Sequence, residues 1–254
     1  MSPFLRKLGA LLGKDAADLA KNPTMVLCVA LPVGFALFYR FFLGDMDLGS
    51  ALRDESATPV VASAVTYVVL SMGLCMSIGM GASMSLVYGI AEEKEKHTLR
   101  TLMLANVTAN QIVLAKGILA LLVTVATEIL CFLVSGAPFS LFLPYVGFGI
   151  LGAIAIILLS LVAGLASRDQ MTAGLYSVPI LLLALAPIFG SYSPDISNVV
   201  RFAPTGGMDA LLHMAVDGTL TTAGAMVPLA TTVVWIALSA LCFSLLYKRL
   251  LRDN

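Results

Sequence analysis

The chain has 254 residues, of which 59% are hydrophobic and 12% are charged, and its fifteen basic residues balance its fifteen acidic residues. Soluble globular domains carry about 25% charged residues, so this composition excludes a soluble domain and indicates an integral membrane protein. The balanced charge gives no indication of a nucleic-acid partner, and none is predicted. The four cysteines fall in apolar runs without close spacing, which predicts neither a disulfide framework nor a metal site.

Residues 2–21 predict a separate amphipathic helix. Phe4, Leu8 and Leu11 recur at helical spacing. The charged side chains fall on the other faces of this helix: Arg6, Lys7, Lys14, Asp15 and Asp18. Because such helices lie in the headgroup plane, we expect an interfacial helix in contact with membrane lipids that leads into the first span. A cytosolic helix covered by a partner protein is the alternative.

Six apolar runs are long enough to cross a bilayer, since about 20 helical residues span its hydrocarbon core. They lie near residues 24–43, 59–91, 111–135, 144–166, 172–190 and 226–247. Helix-start signals support three of them, at Asn22-Pro23, Thr58-Pro59 and the capping box Thr108–Gln111. The predicted fold is an all-α integral membrane protein, and residues 1–254 are predicted to form a single transmembrane domain.

Basic residues in the short connections predict the orientation, because cytoplasmic loops carry an excess of Lys and Arg. Twelve basic residues lie on the side of the two termini, against Arg40, Arg53 and Arg201 on the other side. We therefore expect both termini in the cytoplasm and the protein in the plasma (inner) membrane. The connection 191–225 should then be extracellular and partly helical.

The second span is unusually long and would extend about 50 Å as one helix, so its last turns should project into the cytoplasm. It carries two stripes at a spacing of four residues. The small residues are Gly73, Ser77, Gly81, Ser85 and Gly89, and beside them lie Met72, Met76, Met80 and Met84. Small residues let helices approach closely, which predicts a helix-packing or dimer contact. The methionines either pack in the same way or line a path for an apolar substrate.

Glu128 is a carboxylate well inside the third apolar run. Placing such a group in lipid costs at least ~2.5 kcal/mol unless it is paired. Two interpretations stay open. Glu128 has a structural role, with Thr124 one turn earlier as a hydrogen-bond partner, or it forms a substrate or proton site.

The sequence contains none of the motifs HExxH, GxSxG or CxxC. The segment GALLGKD from Gly9 to Asp15 differs from a phosphate-binding loop in spacing and has Asp15 where Ser or Thr would hold magnesium. The chain is therefore not predicted to be an enzyme or to bind a cofactor or metal itself.

Six charged side chains occupy the nine positions from Glu92 to Arg100, and several apolar residues follow. The segment EEKEKHTLRTLMLANVTANQIVLAK, residues 92–116, resembles that of type-2 ATP-binding-cassette (ABC-2 type) permeases. In those proteins a charged run meets Thr-Leu, a short apolar helix, a turn, and a Gly-Lys pair near the next span, where this chain has Lys116-Gly117. The family commonly has Gly in place of His97, and a small residue followed by Pro near Ala105-Asn106.

This resemblance implies a six-span permease half that exports a substrate as a dimer, with a second copy or a paralogous permease. It also implies a separate ATPase subunit that binds ATP and magnesium and docks on a cytoplasmic coupling helix within residues 92–108. The residues implied in that contact are Glu93, Glu95, Lys96, Thr98, Leu99, Arg100, Leu102 and Met103. In the same segment, Leu99, Leu102, Met103 and Val107 recur at helical spacing and would form an apolar face. A run of charge that only fixes topology is the alternative.

Spans two and five line the substrate route in the family. The candidates carried over by position are Met76, Met80, Met84 and Tyr176, with Glu128 added from its place in an apolar span. The competing function is a secondary transporter driven by an ion gradient, with Glu128 as its coupling group. Such carriers show inverted repeats and several midplane polar groups, which this sequence lacks.

Overall fold

The computed structural model describes residues 3–45, 58–98, 104, 107–221 and 223–252. Its α-helices, in chain order, are α1 (Pro3–Lys21), α2 (Pro23–Asp45), α3 (Thr58–Met76), α4 (Ser85–Glu95), α5 (Ala109–Ser135), α6 (Phe142–Ala166), α7 (Gln170–Leu185), α8 (Pro194–Val200), α9 (Gly206–Val216) and α10 (Met226–Arg252). A π-helical run, Ser77–Met84, joins α3 to α4. Short 3₁₀ helices cover Phe139–Leu141, Ala186–Tyr192 and Ala223–Ala225.

Six helical segments of the described residues are long and apolar enough to cross a membrane, which confirms the predicted all-α membrane fold. Spans one to six are Pro23–Phe42, Ser63–Glu95, Ala109–Ser135, Phe139–Ala166, Gln170–Gly190 and Ala223–Tyr247. The capping box predicted before span three is confirmed. The Thr108 hydroxyl accepts a hydrogen bond from the Gln111 backbone N–H at 3.4 Å, and Gln111 Oε1 accepts from the Thr108 N–H at 3.0 Å.

Span two lies at the centre of the bundle and packs against spans one, three, four and five. Its regular helix was predicted to run from 59 to 91, and the structure corrects this in two ways. The segment Ser77–Met84 is π-helical, where five of eight residues are no larger than serine and neighbouring spans approach closely. The helix then continues to Glu95, so residues 92–95 belong to the span and not to the connection that follows it.

Helix α1 packs against the first turns of span three, where Leu11 and Asp15 are buried. The sequence pattern assigned Asp15 to a polar face, which is wrong because the ammonium of Lys116 in span three lies against it. Phe4 and Leu5, near the start of α1, are about half exposed. Their apolar surface is available to membrane lipid, as expected for an interfacial helix.

The spans alternate between two ends of the bundle. Helix α1, the end of span two and the start of span three meet at one end, which we call the charged end. The last turns of α10 lie there too, since the Tyr247 hydroxyl donates to Asn110. Helices α8 and α9 form the opposite end and confirm that the connection 191–225 is partly helical. Helix α9 is inserted among the spans, with Met208 and Leu212 fully buried.

Candidate functional site

Four consecutive charged residues, Glu92–Glu95, end span two, and we call them the charge hub. Glu92 accepts a hydrogen bond from Asn22 Nδ2, just before span one, at 2.8 Å. Glu93 pairs with α1 and span three, as described below. Lys94 Nζ donates to the carbonyl oxygens of Leu165 and Ser167 at the end of span four, and Glu95 accepts from the first backbone N–H of span five. The hub therefore joins the end of span two to each of the four spans around it.

Two of the hub contacts are hydrogen bonds to the ends of neighbouring helices. At a helix end, backbone N–H or C=O groups have no hydrogen-bond partner within the helix. Lys94 lies at the C-terminus of span four, where a positive charge is favourable, and its bond to Ser167 O is 3.0 Å long. Glu95 Oε2 lies 3.1 Å from the backbone nitrogen of Gln170 at the N-terminus of span five, where a negative charge is favourable. Both contacts thus have the sign that the helix dipole prefers.

Glu93 is the most buried hub residue, with 7% of its surface exposed. Its Oε1 lies 2.5 Å from Lys14 Nζ of α1, and its Oε2 lies 3.0 Å from Lys116 Nζ of span three. The second contact is a charge pair without the alignment of a hydrogen bond. Asp15 completes the group, 3.2 Å from Lys14 and 3.5 Å from Lys116. These four side chains form a neutral cluster, which we call the buried ion cluster.

Lys14 is the most connected member of the buried ion cluster. Its Nζ also lies 3.2 Å from Asp18 Oδ2. The ammonium therefore lies among the carboxylates of Asp15, Asp18 and Glu93, which lie close to one another. Burial lowers the pKa of Lys14, but the hydrogen bonds and negative charges of Glu93 and Asp15 outweigh it and raise the pKa above its usual value. Lys14 therefore stays charged and balances the buried carboxylates.

His97 breaks the helix after the hub. It has a φ of 56°, the left-handed conformation that commonly ends a helix one residue beyond the cap. Glycine adopts this conformation without steric cost, whereas other residues rarely do. The structure thus gives a physical reason for the glycine that the resembling permeases carry here, and His97 makes the same turn with a strained backbone.

We expect His97→Gly to be more stable than His97→Ala by about 1 kcal/mol, because only the alanine variant keeps a Cβ in the left-handed region. Both variants lack the imidazole, so its contacts cancel in the comparison. Thermal unfolding midpoints in one detergent would measure the difference. Equal midpoints would show that the helix end relaxes away from this conformation.

The predicted coupling residues fall into two groups. Glu93 and Glu95 are engaged inside the chain as described above, while Lys96 is exposed and pairs with Glu92. The Thr98 hydroxyl donates to the Glu93 carbonyl oxygen at 3.1 Å. The others, Leu99, Arg100, Leu102 and Met103, lie outside the described residues, and their contact with an ATPase stays a prediction.

The small-residue stripe of span two faces the chain's own span three. A Cβ on Gly73 would lie 3.1 Å from Cys131 Cβ, and one on Gly81 would lie 3.3 Å from the Thr124 hydroxyl oxygen. Ser77 and Ser85 are buried beside them, each donating to the carbonyl oxygen four residues earlier. These four positions are therefore covered within one subunit, and a role in dimer contact stays a prediction.

Through the middle of span two, the methionine stripe is the face that the subunit leaves partly exposed. Between Ser71 and Val87 every residue is buried except Met72, Met76, Met80 and Met84. One side of the stripe is covered by spans three and one, since Gly89 contacts Met25 of span one. The other side is covered by span five, where Gly79 contacts Leu181. Tyr176, the candidate on span five, is about half exposed.

Glu128 lies elsewhere, fully buried between spans three and four. A Cβ on Gly149 would come closer than 3.0 Å to its carboxyl carbon and to both of its oxygens. Neither oxygen has a hydrogen-bond partner among the described residues. Thr124, its predicted partner, instead donates to the Ala120 carbonyl oxygen at 2.8 Å. The structure therefore does not bring Glu128 to the methionine stripe.

The end opposite the hub contains a polar contact that sequence reasoning missed. Asp209 of α9 accepts hydrogen bonds from the hydroxyls of Tyr67, at 2.7 Å, and of Ser71, one turn later in span two. His213 packs edge-on against the Tyr67 ring, and Tyr67, Asp209 and His213 line a cavity of about 460 Å³. Span two is thus tied by polar contacts at both ends. Spacing gives no signal for this contact, because its partners are far apart in sequence.

Residues 53–247 match a family model described as ABC-2 family transporter protein. The match covers well over half of the 254 residues and includes spans two to six. Comparison with curated proteins finds no match.

Proposed function

The chain belongs to the ABC-2 transporter family, and from this we propose that it is the membrane half of an exporter that pairs with a second permease and is driven by a separate ATPase subunit. As a member, it is the multi-pass membrane component of an ATP-binding-cassette transporter and not the ATPase. ATP and magnesium would bind to the partner subunit. The second permease would be another copy of this chain or a paralogue.

The methionine stripe is the observation that carries the pairing. Span two is covered on the sides of spans one, three, four and five, yet its four methionines stay partly exposed in a row. Methionine is flexible and polarisable, and it suits surfaces that accept varied apolar groups. In a dimer whose second subunit faces this stripe, the substrate would move between the two rows of methionines. A lipophilic substrate is the class that such a surface fits.

The charged end supports the proposed place of the ATPase. The sequence puts most basic residues of the connections on this side, which favours the cytoplasm and, with it, an inner or plasma membrane. The connection between spans two and three begins at this end, directly after the charge hub. An ATPase docked there would act on the end of span two and, through the hub, on the four spans around it.

The ion-gradient carrier is not favoured. The family match places the chain among ATP-binding-cassette transporters. Glu128, the coupling group that the carrier would need, is enclosed by protein and separate from the uncovered face of span two. A gradient-driven step would require a path from Glu128 to water, and the structure gives no support for one.

We expect Leu102→Ala to weaken association with the ATPase subunit about tenfold, or about 1.4 kcal/mol, if Leu102 is one of the few interface residues that carry most of the binding energy. Leu104→Ala is the matched control, since Leu104 is off the predicted apolar face and 85% exposed, and we expect less than a twofold change. Co-purification from the native host followed by titration of the isolated subunits would measure both.

Two outcomes would contradict the proposal. If no ATPase subunit co-purifies and proteoliposomes show no ATP-dependent transport, the chain is not driven as proposed. If the ATPase binds but Leu102→Ala and the charge reversal Glu95→Lys both leave binding and coupling unchanged, the charged segment serves only as a topology signal.

A further inference from the structure

Glu93 differs from the other hub residues because its side chain holds two elements at once. Its carboxylate pairs with Lys14 of α1 and with Lys116 of span three, and both carboxylate oxygens are used. Its backbone carbonyl accepts from Thr98, at the start of the connection toward span three. One residue thus contacts the interfacial helix, the next span and the segment between the two spans.

The ion pair between Glu93 and Lys116 joins span two to span three where the connection between these two spans begins and ends. The chain leaves span two after Glu95 and enters span three at Ala109. Lys116 lies two turns inside span three, so the pair joins the two helices on the membrane side of the connecting segment. A force on the segment would then move the ends of both helices together and would not spread them apart.

Apolar packing does not hold α1 against span two in the same way. A cavity of about 540 Å³ opens between them beside the buried ion cluster. Its walls include Leu19 of α1 and Leu86 and Gly89 of span two. The link between α1 and span two at this level therefore depends on the ion pairs of Glu93, together with the hydrogen bond from Asn22, the residue after α1, to Glu92.

We propose that Glu93 is a positioning residue for energy coupling, whose two ion pairs make α1, the end of span two and the start of span three move as one body. This inference rests on the proposed function for its ATP-driven part, whereas the physical link exists in the permease alone. Removing the charge of Glu93 would leave Lys14 paired with Asp15 and Asp18, and Lys116 with Asp15 alone. Span two would then lose both of its ion pairs in the cluster, while α1 and span three would keep a contact through Asp15.

The link is tested in the isolated permease with two spin labels, one at Ala17→Cys on the exposed side of α1 and one at Tyr88→Cys, a half-buried position of span two. The four native cysteines are first replaced so that only these two positions are labelled. In the unmodified cluster we expect one narrow distance distribution between α1 and span two. In Glu93→Gln we expect a distribution at least twice as wide. Asp18→Asn is the matched control, because Asp18 pairs with the same lysine but is largely exposed, and it should keep the narrow distribution.

The coupling role is tested by ATP hydrolysis in the complex with the ATPase subunit. Because the Glu93 carboxylate is buried against Lys14 and Lys116 and is not presented to a partner, Glu93→Gln should bind the ATPase with unchanged affinity. Permease-dependent stimulation of hydrolysis should nevertheless fall about fivefold. Glu93→Asp, which keeps the charge, should recover part of the stimulation. A loss of stability alone would lower both the affinity for the ATPase and the stimulation of hydrolysis. A fall in stimulation with unchanged affinity therefore identifies a positioning role.

The outcomes separate this inference from the proposed function. A narrow distribution and full stimulation in Glu93→Gln would overturn the inference while leaving the ATPase partnership intact. Absence of any ATPase partner would end the proposed function, and the label distances would still decide whether Glu93 links the helices. If Glu93→Gln does not insert, Lys14→Gln removes a partly exposed partner and should widen the distribution as well; an unchanged width in that variant would count against the link.

Discussion

Gly149→Ala is expected to destabilise the protein by about 1–3 kcal/mol or more, the usual cost of forcing extra atoms into a packed interior. A Cβ at this position would come closer than 3.0 Å to three atoms of the Glu128 carboxyl group. Gly147→Ala in the same helix is the matched control, because a Cβ there meets nothing within 4 Å. That variant should be neutral or slightly more stable, since alanine favours a helix over glycine. Thermal unfolding midpoints would compare the two.

A double variant tests whether Glu128 is the cause of that loss. Glu128→Ala removes the carboxyl group that the new Cβ would strike, so Glu128→Ala with Gly149→Ala should be more stable than the sum of the single effects predicts. Additive effects would show that the clash lies elsewhere.

The contact between spans three and four also contains the predicted substrate or proton site at Glu128. If Glu128→Gln transports normally, Glu128 has no such role and serves only in packing.

The sequence predicted the elements well because hydropathy and capping are local. All six spans were found, and the capping box at Thr108 was placed correctly, since its two partners are three residues apart. The π-helical run in span two was missed. Its glycines and serines predict a packing stripe, but which neighbouring side chains approach them is a property of the folded bundle.

Local sequence patterns did not predict the contacts that the charge hub makes inside the chain. The sequence identified the run Glu92–Arg100 as unusual, and the resemblance implied Glu93 and Glu95 in a contact with the ATPase or, as the alternative, a topology signal. A run of charge gives no information about which groups of the same chain it contacts. The sequence indicates Lys116 as one of the basic residues that set the orientation and as half of the Lys116-Gly117 pair, and it gives no signal that Lys116 is the buried partner of Glu93. Asp209 lies more than a hundred residues from Tyr67 and Ser71, and no local pattern joins them.

Substitutions in the methionine stripe are expected to have a large effect on transport and little effect on stability. Met80→Ala and Met84→Ala should each reduce transport of a lipophilic dye such as rhodamine 6G by up to about thirtyfold in ATP-driven proteoliposomes, the change that about 2 kcal/mol corresponds to. Each truncation removes apolar contact worth about 2 kcal/mol, at ~0.8 kcal/mol per buried methylene, if the substrate covers the side chain. Because these side chains are only partly buried in the subunit, the unfolding midpoint should change little.

Met226→Ala controls for a general effect of losing methionine from a membrane span. Met226 is 68% exposed at the start of α10, and it lies on span six, apart from the stripe. Transport by this variant should stay within twofold of the unmodified protein. If Met80→Ala and Met84→Ala behave like Met226→Ala, the stripe faces lipid, and the substrate route must be sought on another face of the subunit. A selective loss at the stripe would mean that the uncovered face of span two is the one the substrate meets.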